Sequence, residues 1–105
     1  MSLRAKAAVV GFFELPTLRN YPGRTTNSLL AEAIRGAITD AGLTRDDVDG
    51  LITRGSDVMP VELAEYMGMS LSFNTGVTQH GSSGAHSLAL AASAIQSGLA
   101  NTVIC

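Results

Sequence analysis

Residues 78–84 read TQHGSSG and carry most of the side chains in this sequence that can do chemistry. His80, Ser82 and Ser83 offer an imidazole and two hydroxyls, and Gly81 and Gly84 flank the serines. The stretch lies between an apolar run, FNTGV, and a small-residue run, AHSLALAASAIQ, so it reads as a strand-to-helix turn. The first N–H groups of a helix lack intrahelical partners, and the dipole there favours negative charge. Such a turn can hold an anion, an oxyanion or an activated nucleophile. Gly81-Ser82-Ser83-Gly84 sits in the context of a hydrolase nucleophile elbow, but Ala85 stands where G-x-S-x-G requires its last glycine.

The other candidate groups point to structural roles. His86 lies one turn into the helix, as a structural or subunit-contact residue. Cys105 is the one cysteine, which excludes an internal disulfide and a multi-cysteine zinc site, and its apolar neighbours suit an inert buried thiol. Asp46, Asp47 and Asp49 lack the glycine pattern of a calcium loop and fit solvated turn positions. No metal site is expected. No G-x-G-x-x-G follows the first apolar run, so a dinucleotide fold has little support.

Positioning the turn requires a framework, and the hydropathy pattern supplies one. Residues 5–11 form a continuous apolar run with Val9 and Val10, as for a first strand buried on both faces. Residues 12–24 contain Pro16, Pro22 and Gly23 and form a loop. Thr25 or Thr26 can cap a helix whose stripe is Leu29, Leu30, Ala33, Ile34, Ala37, Ile38 and Ala41, with Gly42 placed to end it. Thr44 and Asp47 have capping-box spacing before a strand at 48–53. A short helix over 62–67, a strand over 71–77, a helix over 83–97 ended by Gly98, and a strand over 102–105 follow. The order βαβαβαβ predicts an α/β fold with a parallel sheet covered by helices. In such sheets ligands bind beyond the carboxyl ends of the strands, where residues 78–84 lie. The last helix has almost no charge, so burial on most sides, by further protein or a dimer partner, is expected.

The sequence is 105 residues long with 46% hydrophobic residues, enough for one core. A net charge of −2 without a basic run argues against nucleic acid. The N-terminal apolar run is too short for a membrane span and is followed by Glu14 and Pro16 in place of a cleavage site, so a cytoplasmic protein is expected. The C-terminus falls inside a predicted strand, as in a fragment of a larger protein.

The segments AAVVGF, LLAEAIRGAITDAGLTRDDVDGLIT, ELAEYMGM and FNTGVTQHGSSGAHSLALAASAIQSGLANTVI resemble the N-terminal part of the thiolase superfamily. Within it they resemble the branch of sterol-carrier-protein thiolases and lipid-transfer-protein aldolases. The resemblance implies two similar βαβαβαββ halves, with residues 1–105 a partial N-terminal domain and the incomplete first half. The second half would supply the acid, base and oxyanion donor. It places Gly81 at the position of the thiolase cysteine, where a thiolate would otherwise carry the acyl group. It therefore implies the aldolase-like members, which cleave β-hydroxyacyl-CoA by retro-aldol chemistry with a small zinc-containing OB-fold partner. Coenzyme A thioester would be a substrate and not a bound cofactor, and the protein would be a homodimer. His80, Gly81, Ser82, Ser83 and Gly84 become the substrate-binding candidates. The glycines would let the backbone approach a thioester or simply supply positive φ; the serines would donate to its carbonyl or simply cap the helix; His80 would line the pocket or stay solvated. A true acetyl-CoA acyltransferase and a non-catalytic lipid- or partner-binding protein are the alternatives.

Overall fold

The computed structural model describes residues 2–55 and 58–105. Helix α1, Thr26–Asp40, starts where its cap is strongest. The Thr25 hydroxyl accepts from the Ser28 N–H at 3.1 Å, and the Ser28 hydroxyl accepts from the Thr25 N–H at 3.0 Å, a reciprocal capping box. Ala31, Ile34 and Ile38 form its buried stripe. Gly42 follows with φ +72°, the left-handed conformation that closes a helix C-terminus and that glycine adopts without penalty. Thr44 and Asp47 form the second capping box, across a short 3-10 turn at Arg45–Asp47.

Strand β1, Gly50–Arg54, is central. Leu51 packs with Ala31, Ile34 and Leu63 on one side, and Ile52 packs with Val77 and Ala91 on the other. Helix α2, Pro60–Met67, has proline in its first turn and a left-handed Gly68 at its end. Strand β2, Phe73–Val77, helix α3, Ser83–Gln96, and the short strand β3, Val103–Ile104, complete the chain. The sheet order is β2-β1-β3 and every pair is parallel, with Gly50 opposite both Phe73 and Val103. The expected α/β fold with a parallel sheet is therefore present. Truncating the fully buried Leu51 to alanine removes contacts on this central strand and costs about 2–5 kcal/mol.

The predicted first strand is not formed. Residues 7–11 run as an unpaired arm with Val9 and Val10 exposed. The arm is held by α1 and not by the sheet. The Phe12 N–H donates to Asp40 Oδ2 at 2.9 Å, the Phe13 ring lies over Gly36, and Gly11 lies against Ala37 and Ala41 so closely that a Cβ would stand 2.7 Å from the Ala37 carbonyl oxygen. An apolar run signals burial or extension, and cannot by itself tell a strand from an extended segment laid on a helix. Among the described residues the order is thus αβαβαβ, with three strands in place of four.

Within this chain helix α3 is covered on one side only, and the burial expected from further protein or a dimer partner concerns the side left open. Ser83, Ala91 and Ala94 are its buried residues, while Gly84, Ala85, His86, Leu88 and Ala89 are exposed. Its serines bond back to its own backbone. The hydroxyls of Ser87 and Ser93 donate to carbonyls one turn back, at 2.8 and 3.0 Å, so they present little polar demand outward.

Candidate functional site

Val77 is buried at the carboxyl end of β2, and the chain turns into α3 through a 3-10 segment at His80–Ser82. The five candidates, His80, Gly81, Ser82, Ser83 and Gly84, are consecutive here, and all but Ser83 are exposed. Ser83 is buried, at 9% exposure. Its hydroxyl accepts from the Gln79 N–H at 3.0 Å and donates to the His80 carbonyl at 2.8 Å. The Ser82 hydroxyl donates to the Gln79 carbonyl at 2.8 Å. A hydroxyl has one proton to give, so both serine protons are committed to the backbone.

The left-handed residue of the turn is His80, at φ +51°, and neither Gly81 nor Gly84 has positive φ. Positive φ is therefore not what glycine supplies at those two positions. A Cβ added at either glycine would meet no heavy atom within 4 Å. Histidine tolerates the left-handed region better than most residues, and the Ser83 hydroxyl ties the Gln79 N–H to the carbonyl of His80 itself. The resulting surface is a strip of exposed residues at the positive end of α3, in which the Ser82 and Ser83 N–H groups already donate to the Gln79 and His80 carbonyls, and residues 78–96 contain no Asp, Glu, Lys or Arg.

Two neighbouring features were not legible as parts of one site. Gly55, beyond β1, donates its N–H to the Val77 carbonyl at 3.1 Å, and its missing Cβ would stand 3.5 Å from Thr78 Oγ1. Gly55 also lines a pocket of about 380 Å³ with Thr25, Thr26, Asn27, Val58 and Met59. The carboxyl ends of β1 and β2 and the start of α1 thus meet beside the turn. The spacing of nearly thirty residues between Thr25 and Gly55 hides this in sequence. A larger apolar cavity of about 700 Å³ lies between the arm, α1, β1 and α3, lined among others by Val9, Leu30, Thr53, Leu88 and Val103 and by none of residues 80–84.

Cys105 is a free cysteine and exposed, not buried as expected. Local burial of its thiol nonetheless pushes its pKa up, which disfavours the thiolate. It follows β3, on the other side of β1 from β2 and the turn. His86 is exposed on α3. Of the three aspartates, Asp47 serves the capping box and Asp46 pairs with Arg45 at 3.3 Å. Asp49 is no solvated turn residue: it clamps the start of β3. Burial alone would raise its pKa, but the N–H groups of Thr102 and Asn101 and the Asn101 side-chain amide outweigh that and hold it below the usual carboxylate value. Among the described residues no group of three or more His, Cys, Asp or Glu is placed to hold a metal ion, and no helix is long and apolar enough to cross a membrane.

The chain superposes on a solved Ltp2-ChsH2(DUF35) aldolase with a TM-score of 0.90 at 34% identity, over 99% of this chain and 28% of that one. The fold is that of a thiolase-like aldolase domain. In sequence the chain is 33% identical over its full length to a steroid side-chain-cleaving aldolase of Thermomonospora curvata. It is 34% identical over 97% of its length to a 17-hydroxy-3-oxo-4-pregnene-20-carboxyl-CoA lyase of Mycobacterium tuberculosis. It is also 39% identical over 78% of its length to a β-ketoacyl-[acyl-carrier-protein] synthase III of Cereibacter sphaeroides. The chain spans 27% of the length of each of these three relatives. No protein-family model matches it.

Proposed function

We propose that this chain is part of an acyl-CoA aldolase that cleaves a β-hydroxyacyl-CoA by retro-aldol chemistry, without a covalent acyl-enzyme. The observation that carries this is Gly81. The turn that would present a thiolase nucleophile offers a glycine, and the one cysteine of this sequence, Cys105, follows β3 on the other side of β1 from the turn. Similarity to two lyases of steroid side chains supports the same direction.

In such a cleavage the β-hydroxyl loses its proton and becomes a carbonyl as the Cα–Cβ bond breaks. The bonding pair passes to Cα as a thioester enolate, which then takes up a proton. The base and acid come from outside these residues. The turn contributes the positive end of α3, which favours the oxygen on which the enolate charge rests. Gly81 and Gly84 keep side-chain bulk away from that approach. The acyl substrate is a bulky apolar one of the steroid class. A homodimer, a zinc-containing OB-fold partner and a cytoplasmic location complete the proposal, and the two-component name of the solved aldolase supports a protein partner.

The 39% identity to a ketoacyl synthase favours a second reading, acyl transfer through a thiolate. Intact-mass measurement of the full-length protein after exposure to acetyl-CoA separates the two. The aldolase reading requires an unchanged mass; a stable acetyl adduct would establish the other.

A further inference from the structure

We infer that Ser83 is a positioning residue, which holds His80 in its left-handed conformation and so fixes the imidazole beside the Gly81 approach. This rests on the aldolase reading of the turn. Ser83 is the one buried member of the five, yet its hydroxyl makes no contact that would serve a substrate. It accepts from the Gln79 N–H at 3.0 Å and donates to the His80 carbonyl at 2.8 Å, bracketing the one residue of the turn with positive φ. Glycine would adopt that φ at no cost, and glycine is the next residue, so the chain holds a functional side chain in a position where the backbone alone would prefer none. Ser82 adds a bond to the Gln79 carbonyl, leaving the imidazole as the polar side chain among residues 80–84 that is not tied to the backbone. Ser83 thus acts through His80, and His80 is the residue that meets the substrate.

The test uses the full-length protein with Ser83→Ala, Ser83→Thr and His80→Gln. With hydroxyacyl-CoA as substrate, Ser83→Ala lowers kcat about tenfold with KM little changed, as for an interaction realised in the transition state, and Ser83→Thr, which keeps the hydroxyl, restores most of it. His80→Gln gives a similar loss, and adding Ser83→Ala to it costs little more, because the two act as a unit. Equal kcat for folded Ser83→Ala and wild type, or additive losses, would overturn the inference. A second readout needs no turnover. In protein labelled with 15N-histidine, the strong intraresidue amide–Hα cross-peak of a left-handed His80 weakens in Ser83→Ala and returns in Ser83→Thr. Its persistence in Ser83→Ala would equally overturn the proposal, while inactivity of the wild type would count against the aldolase reading alone.

Discussion

Asp49 Oδ1 accepts the Thr102 N–H at 2.8 Å, and the Asp49 N–H donates to the Thr102 carbonyl at 3.1 Å, joining residues 53 apart in sequence. The second carboxylate oxygen takes the Asn101 N–H at 3.0 Å. This clamp sets β3 against β1, although the two strands share only the pairs Gly50–Val103 and Leu51–Ile104. A charged acceptor satisfying several backbone donors is stronger than a neutral one.

Removing the clamp destabilises the fold in a pH-dependent way. The Asp49 pKa is depressed in the folded state, so its contribution is fully present above the ordinary value of 3.8 and is lost as pH falls through the lower folded value. Asp49→Asn should cost about 1–3 kcal/mol in urea unfolding near neutrality. The gap between variant and wild type should close as the solution is acidified below the ordinary value. A gap independent of pH would contradict the charge-assisted account.

Gly84→Ala should stabilise the protein and impair the site. Gly84 lies in the first turn of α3 without positive φ, and an added Cβ meets nothing within 4 Å. Alanine in place of a helical glycine contributes about 0.5–1 kcal/mol. The same methyl stands on the proposed approach of the substrate. Thermal unfolding should therefore move up while KM rises; a rise in stability with unchanged kinetics would remove Gly84 from the site.

Thr53→Val should be neutral or stabilising. Thr53 is buried on β1 and its Oγ1 has no hydrogen-bond partner, while its side chain borders the 700 Å³ cavity. Replacing an unpaired buried hydroxyl by a methyl recovers desolvation of about 1 kcal/mol. Denaturant unfolding checks this, and a loss of more than about 1 kcal/mol would show that the hydroxyl has a partner in solution.

Gly81→Cys should install a reactive thiol. There is open space at that position, and the adjoining helix N-terminus favours the thiolate, whereas burial disfavours it at Cys105. Iodoacetamide should modify the new cysteine faster than Cys105, as peptide mapping would show. Slower modification of residue 81 would mean that the turn does not stabilise negative charge.

Much of the framework is written in local pattern. The stripe through Ile34 and Ile38, the glycines at 42 and 98, and the Thr44–Asp47 spacing each correspond to a helix or turn in the structure. These features depend on residues within a few positions of one another. The arm at 7–11 does not, because its destination, α1 or the sheet, is decided through Phe12 and Phe13 by Asp40 and Gly36, which lie 28 and 23 residues further on. The turn was visible as chemistry, but not which residue would be left-handed. Glycine is the default for that role, and His80 takes it because Ser83 bridges the backbone around it. The clamp at Asp49 was missed because its partners are backbone N–H groups, which carry no sequence signal.

The central claim is carbon–carbon cleavage without a cysteine nucleophile. Turnover by the full-length protein, with and without a zinc-containing OB-fold partner, should be compared on a branched β-hydroxyacyl-CoA and on a β-ketoacyl-CoA supplied with free coenzyme A. Cleavage of the hydroxyacyl substrate alone, to a ketone and a shortened acyl-CoA, is the predicted result. Coenzyme A-dependent cleavage of the keto substrate would contradict it.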